Sequence, residues 1–205
     1  MKSIVQTIGA VSFPAFMAER VYMREFTKAK GLPSDLKRWQ PTVDQMLDGV
    51  DTDGPIYIMV DQKIVEPNGT HRRPGMHLDG YWNAAAGRHQ RPGGHITDLH
   101  NLQASAWENQ KPWNAILKPG QTLPHEALIL ASDVVGCRAL LGEWEGVIGE
   151  GGDVSHLDLS HMDEFVMQAN IAYAGNVTML HESIALPVGA QRSLVRLSVP
   201  GFEVH

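Results

Sequence analysis

The chain contains only one cysteine, Cys137, among 205 residues. A single thiol cannot form an intrachain disulfide, so a disulfide-stabilised scaffold is excluded. A lone thiol is also typical of reducing compartments, and we expect a cytoplasmic protein. Packing as a small apolar residue is a sufficient role for Cys137.

Long apolar runs are missing as well. No stretch of the sequence approaches the roughly 18 consecutive apolar residues that a membrane-spanning helix needs. The N-terminus lacks the basic region, the uninterrupted apolar stretch and the cleavage site of a secretory signal. We therefore expect no membrane association.

An excess of basic residues is also absent. The formal net charge is -6, whereas proteins that bind nucleic acid non-specifically usually present a basic patch. We therefore expect no non-specific nucleic-acid binding. A nucleotide substrate stays open if one cleft is positive against this acidic background.

The remaining composition is typical of one packed globular domain over residues 1–205, because 43% of the residues are hydrophobic and 20% are charged. At this length a single core is favoured over two small ones. We predict a mainly β fold with N-terminal helices. Residues 1–50 would form a helical scaffold and residues 51–205 the β core.

Hydrophobic periodicity places the predicted elements. Near-helical spacings predict a helix over residues 14–30, and further helices would begin near Ser34 and Pro41. Residues 83–125 are rich in glycine and proline and have no sustained period, so we predict a long loop that acts as a lid or binding element. The predicted strands cover residues 55–61, 127–132, 138–141, 165–168, 176–180 and 194–199.

The segment His77-Leu78-Asp79 contains two potential metal ligands two residues apart. In an extended segment alternate side chains point to the same face, so His77 and Asp79 would project toward one ion while Leu78 packs behind them. A second strand would have to bring a further histidine, His181. Two imidazoles and a carboxylate on one face of a ferrous ion leave three coordination positions open, as in non-haem iron oxygenases.

Two arginines follow His181 on a segment with strand-like alternation, residues 192–199. Arg192, Arg196 and Ser198 would share one face of a regular strand. A guanidinium on that face could bind the distal carboxylate of a dicarboxylate bidentately, with a hydroxyl beside it.

Residues 73–82, 179–183 and 192–198 resemble, in this order, the HxD motif, the distal histidine and the RxS arginine of the iron(II)- and 2-oxoglutarate-dependent dioxygenase superfamily. The resemblance implies a double-stranded β-helix, or jelly roll. It also implies an enzyme that uses Fe(II) and 2-oxoglutarate as cofactors and hydroxylates a substrate.

Carried over residue by residue, the resemblance implies that His77, Asp79 and His181 are the metal ligands. It also implies an arginine that binds 2-oxoglutarate. Arg196 begins the RxS string, whereas Arg192 lies eleven residues after His181, nearer to the spacing of the family. Spacing favours Arg192, and the other arginine would bind an anionic substrate or buttress the first.

A second HxD string, His156-Leu157-Asp158, is an alternative source of two ligands. Only 22 residues separate Asp158 from His181, whereas 101 residues separate Asp79 from His181. A jelly-roll core needs several strands of about five or six residues plus turns between the two parts of the site. The spacing therefore favours the first string.

Four further residues are candidates for binding roles. Tyr57 and Ser198 could donate hydrogen bonds to 2-oxoglutarate, although Tyr57 on a buried strand could equally belong to the core. Tyr81 and Trp82 could stack against a substrate, and packing is the alternative role for both.

Two other classes of function stay open. One is a cupin-like metal-binding protein without an oxidative cosubstrate, in which the arginines are incidental. The other is a non-catalytic assembly or structural protein built on an oxygenase-like jelly roll. The sequence leaves the substrate unidentified among small molecules, protein side chains and nucleobases, and it does not indicate an oligomeric state.

Overall fold

The computed structural model describes residues 1–79, 111, 117–123 and 125–205. The protein is mainly β, with two antiparallel sheets. Its helical segments in the described residues are α1 (Gln40–Met46) and two 3-10 helices, Ser34–Trp39 and Glu150–Gly152. The strands of the described residues, in chain order, are β1 (Lys2–Ser3), β2 (Val5–Ala10), β3 (Arg20–Thr27), β4 (Pro55–Val65), β5 (Glu126–Ser132), β6 (Cys137–Glu143), β7 (Asp163–Val166), β8 (Ile171–Gly175), β9 (Leu180–Ser183) and β10 (Ala190–Pro200).

The larger sheet has six strands in the order β2-β8-β5-β10-β4-β3. Its centre is formed by the long strand β10, which pairs with β4 on one side and β5 on the other. The alternation of β10 separates two surfaces, because Val195, Leu197 and Val199 belong to one hydrophobic core while Arg196 and Ser198 point to the opposite face.

The smaller sheet pairs β6 with β1, β7 and β9. His77 extends this sheet beyond β9, because it forms isolated antiparallel bridges to His181 and to Asp153. The segment that carries the first two candidate ligands is therefore attached to the strand that carries the third.

Helical residues cover one face of the larger sheet. Trp39, Val43 and Met46 are fully buried there against strand residues such as Ile58 and Val195. Proline at the second position of α1 suits a helix start, because its missing N–H would have had no intrahelical partner. This core supports the sheet from the side opposite to the candidate site.

The other face of the larger sheet packs toward the smaller one. A second core there contains Leu130 and Tyr173 from the larger sheet and Ala139 from the smaller one. A third core lies outside the smaller sheet and contains Leu78 and Leu180, which neighbour the candidate ligands in sequence. The candidate ligands thus lie between two separately packed layers.

The prediction of a helical scaffold over residues 1–50 was wrong for most of that segment, because it forms β1, β2 and β3. The predicted helix over 14–30 is replaced by β3, which has a register shift between Val21 and Arg24. Because of this bulge, the buried residues Met23 and Phe26 are three positions apart, a spacing that imitates a helix. The predicted helices near Ser34 and Pro41 are confirmed as one 3-10 segment and the short α1.

Most predicted strands are confirmed, with two corrections. The strand predicted over 176–180 is β9, which begins only at Leu180, and β8 was not predicted. Tyr81, Trp82 and most of the predicted loop over 83–125 lie outside the described residues. The described helices include none with the length and apolar character needed to cross a bilayer.

Candidate metal centre

Three side chains that could bind one metal ion converge between the two layers. One potential donor atom from each of His77, Asp79 and His181 lies within 4.8 Å of the others. Leu78 is 1% exposed and packs in the core outside the smaller sheet. Leu78 thus packs behind the two candidate ligands, although the segment is not a regular strand and His77 forms only isolated bridges.

Backbone pairing fixes the two histidines side by side. The His77 N–H donates to the His181 carbonyl at 3.1 Å, and the His181 N–H donates to the His77 carbonyl at 3.0 Å. Their ring centroids are 4.8 Å apart. Asp79 completes the group, with Oδ1 3.7 Å from the His77 Nε2 and Oδ2 3.5 Å from the His181 Nε2.

The Nδ1 atoms of both imidazoles face main-chain carbonyls. The His77 Nδ1 lies 2.7 Å from the Gly75 oxygen, and the His181 Nδ1 lies 3.4 Å from the Met179 oxygen. A carbonyl only accepts hydrogen bonds, so these contacts favour the proton on Nδ1 and leave the Nε2 lone pair for a metal. This donor set fits Fe(II) and other divalent transition metals that accept imidazole and carboxylate.

The protonation state of His77 also suits metal binding. Burial, reinforced by the nearby His181, lowers the pKa of His77 to about 4. The imidazole is therefore neutral near pH 7, which is the form that coordinates metals.

Asp79 forms an ion pair with one of the two predicted arginines. The Arg196 Nη1 donates to the Asp79 Oδ2 at 2.6 Å. Burial alone would raise the pKa of Asp79, but the Arg196 charge and the neighbouring His181 outweigh it and hold that pKa well below its usual range. The carboxylate is thus ionised beside the two imidazoles.

Arg192 lies elsewhere on β10 and is 1% exposed. Its Nε donates to the Ser132 Oγ at 2.8 Å and its Nη1 donates to the Gly136 carbonyl at 3.1 Å. A Cβ at Gly136 would lie 2.6 Å from the Arg192 Nη1. The guanidinium is therefore closely fitted to the turn between β5 and β6.

The other two predicted cofactor-binding residues lie opposite each other, because Tyr57 of β4 is in register with Ser198 of β10. Burial, followed by the neighbouring Glu25, raises the pKa of Tyr57.

Sequence reasoning missed Glu126, at the start of β5. Burial raises the pKa of Glu126 to about 7 despite the opposing influence of Arg196. The sequence did contain a signal for it. Glu126 alternates with Leu128 and Leu130, so on a strand it shares their face, which points to the space between the sheets.

A carboxylate on the opposite face of β9 supports the metal-binding segment. One oxygen of Glu182 accepts a hydrogen bond from the Gly75 N–H at 3.0 Å, and the other accepts from the Arg138 Nε at 2.7 Å. Arg138 also pairs with Glu164 of β7. Glu182 therefore ties the turn before His77 to the middle of the smaller sheet.

The second HxD string occupies an exposed loop. The His156 side chain is 49% exposed, and its Nε2 lies 2.9 Å from the Val147 carbonyl. The Asp158 carboxylate accepts hydrogen bonds from Ser160. His156 thus contacts a main-chain carbonyl nine residues earlier, and Asp158 is used in its own local turn.

Comparison with known proteins adds no family to these observations. Neither a scan against protein-family models nor a search of curated proteins found a match to the chain. The function is therefore proposed from the geometry of the chain's own residues.

Proposed function

We propose that the protein is an iron(II)- and 2-oxoglutarate-dependent oxygenase that hydroxylates its substrate. The observation that carries this proposal is the convergence of His77, Asp79 and His181 with the partly exposed Arg196 beside them. Two imidazoles and one carboxylate leave room at the ion for a chelating cosubstrate and dioxygen. A cytoplasmic location, favoured by the lone thiol, belongs to the same proposal.

His77, Asp79 and His181 would hold the iron. When bound, iron and 2-oxoglutarate together supply dioxygen activation, with decarboxylation to succinate balancing the oxidation of the substrate. The Gly75 and Met179 carbonyls orient the two imidazoles. The hydrogen bond from Arg196 to the Asp79 Oδ2 orients the carboxylate so that its Oδ1 faces the His77 Nε2.

Arg196 is the arginine that we propose for 2-oxoglutarate, although spacing favours Arg192. Its Nε is buried and has no hydrogen-bond partner in the part of the chain that the structure describes. An unused guanidinium donor next to a metal ligand fits a cosubstrate carboxylate. Ser198 lies two residues along the same face of β10, opposite Tyr57. Arg192 would buttress the turn that it already binds through Ser132.

We also propose that the two sheets form a double-stranded β-helix. The larger sheet has the central order β8-β5-β10-β4, and β7, β6, β9 and the His77 bridge follow one another in the smaller one. From β4 onward the chain thus passes back and forth between the two sheets, with β4, β5, β8 and β10 in one and the His77 segment, β6, β7 and β9 in the other, and only β6 and β7 follow each other within one sheet. This alternation is expected of a jelly roll.

An anaerobic titration tests the function. The full chain, loaded with one equivalent of ferrous iron, should develop a visible charge-transfer band that saturates as 2-oxoglutarate is added. Aerobic turnover should then release succinate. Iron binding without the band would contradict the oxygenase proposal and favour a metal-binding jelly roll without a cosubstrate.

A further inference from the structure

A cavity of about 410 Å³ lies beside the segment that leads to the metal ligands. It is bounded by β3, β4 and the chain before His77. Its described lining contains four cationic side chains, one carboxylate, one threonine and one histidine: Arg20, Asp61, Lys63, Thr70, His71, Arg72 and Arg73. This concentration of positive charge stands out in a chain with a net charge of -6.

Two of these cations have no carboxylate partner among the described residues. The Lys63 Nζ donates to the His71 carbonyl at 3.1 Å, and the Arg73 Nη2 donates to the Gly151 carbonyl at 2.7 Å. Carbonyl oxygens hold the side chains in place without neutralising them. Lys63 and Arg73 therefore keep their full charges at the cavity.

The other two cations share Asp61. Its carboxylate lies 3.3 Å from the Arg20 Nε and 3.0 Å from the Arg72 Nη1. The Asp61 side chain is only 5% exposed, whereas those of Arg20 and Arg72 are 74% and 39% exposed. The carboxylate thus lies deeper than the guanidinium groups and orients them, while their outer donors stay accessible.

His71 provides a second, independent sign of a ligand site. Its side chain is fully buried, with Nε2 3.6 Å from the Asp61 Oδ2, and within the described residues Nδ1 has no hydrogen-bond partner. A buried imidazole nitrogen without a partner is unusual, because buried polar groups are normally satisfied by protein, water or ligand. His71 lines the cavity together with the cationic groups.

We propose that this cavity binds a phosphate group of an anionic ligand. Guanidinium groups match phosphate oxygens bidentately, and an ammonium adds a point charge. The volume lies within the range of pockets that enclose ligands the size of a nucleotide. The acidic background disfavours polyanions elsewhere on the chain, so recognition would be local to this cavity. The site requires neither iron nor 2-oxoglutarate.

Calorimetry on the metal-free full chain tests the proposal, with inorganic phosphate and pyrophosphate as the probes. Saturable binding at one site should weaken as salt is raised, because exposed charges are screened. Lys63→Gln and Arg73→Gln should each weaken it about tenfold or more. Lys63→Arg, which keeps the charge, should restore most of the affinity. Lys30→Gln is the matched control, since Lys30 is an exposed lysine just beyond the opposite end of β3.

Adenosine monophosphate and a short single-stranded oligonucleotide distinguish the sources of the phosphate. Tighter binding of the mononucleotide would assign a small phosphorylated ligand, and tighter binding of the oligonucleotide would assign a polymer. Either result supports a phosphate site. The proposal is overturned if no phosphate compound binds saturably, or if Lys30→Gln weakens binding as much as Lys63→Gln. The charge-transfer titration reports on the iron centre separately, so the two proposals fail independently.

Discussion

At the scale of single residues, Asp79 decides whether the candidate centre is a metal site. Asp79→Ala removes one of three ligands and should weaken ferrous iron binding by at least roughly a hundredfold, since changes outside the ligand set alone cost ten- to a hundredfold. Asp158→Ala, in the second HxD string, should leave iron binding unchanged. Equilibrium dialysis of iron under nitrogen compares the two variants. Equal losses in both would remove the basis for the His77 assignment.

The two arginines of β10 can also be separated at this scale. Arg196→Gln should raise the Kd for 2-oxoglutarate about tenfold or more, because one charge-assisted contact is lost, while iron still binds. Arg192→Gln should instead lower the melting temperature, since it breaks buried hydrogen bonds to Ser132 and Gly136. Titration of the charge-transfer band and thermal unfolding measure the two effects. A cosubstrate defect in the Arg192 variant with unchanged melting temperature would reverse the assignment.

At the scale of elements, Glu182 joins the segment before His77 to the smaller sheet. Glu182→Gln weakens the contacts to the Gly75 N–H and to Arg138, and we expect roughly tenfold weaker iron binding with all three ligands intact. Glu164→Gln is the matched control, because Glu164 pairs with the same Arg138 but lies on β7. Similar iron affinities in the two variants would show that Glu182 does not position the ligands.

The network around Asp61 connects β4 to the chain before His77. Burial opposes ionisation of Asp61, but His71 and Arg72 outweigh it and lower the pKa of Asp61 from 3.8 to about 2. A lowered pKa stabilises the fold above pH 4, and this contribution is lost as the pH falls toward 2. We expect Asp61→Asn to remove about 2 kcal/mol at pH 7 and to flatten the acid dependence of stability.

Urea unfolding at several pH values measures this effect. Asp35→Asn serves as the control, since Asp35 belongs to an exposed pair with Arg24 and should change stability by less than about 0.5 kcal/mol. An Asp61 variant whose stability follows the wild-type pH profile would contradict the coupling.

Local pattern predicted the regular strands and failed where the chain departs from regularity. β4 contains a continuous apolar run over residues 56–60 and β10 alternates over residues 194–199, so their extended conformation was visible in the sequence. β3 was mistaken for a helix because a bulge near Met23, which has a φ of 47°, changes the spacing of its buried residues. The existence of the bulge depends on pairing with β4, and no window of the sequence contains both strands.

At the scale of the whole molecule, the helix core and the candidate metal centre lie on opposite faces of the six-stranded sheet. Met46→Ala creates a cavity in the helix core and should lower the free energy of unfolding by about 3 kcal/mol, since Met46 is fully buried. Iron affinity of the folded variant should remain unchanged. Denaturation and iron binding, measured on one preparation, test this separation. Loss of iron binding without loss of stability would contradict it.

The chemistry of the donor set and the two-residue spacing of His77 and Asp79 could be read directly from the chain, because alternation in an extended segment is a local property. The folded arrangement was needed to show that His181 lies beside them, that Arg196 rather than Arg192 reaches Asp79, and that four cations line one cavity. These meetings depend on pairing between segments far apart in the chain. The physical reason is that cross-strand register sets which distant side chains share a face, and register arises only when the sheets assemble.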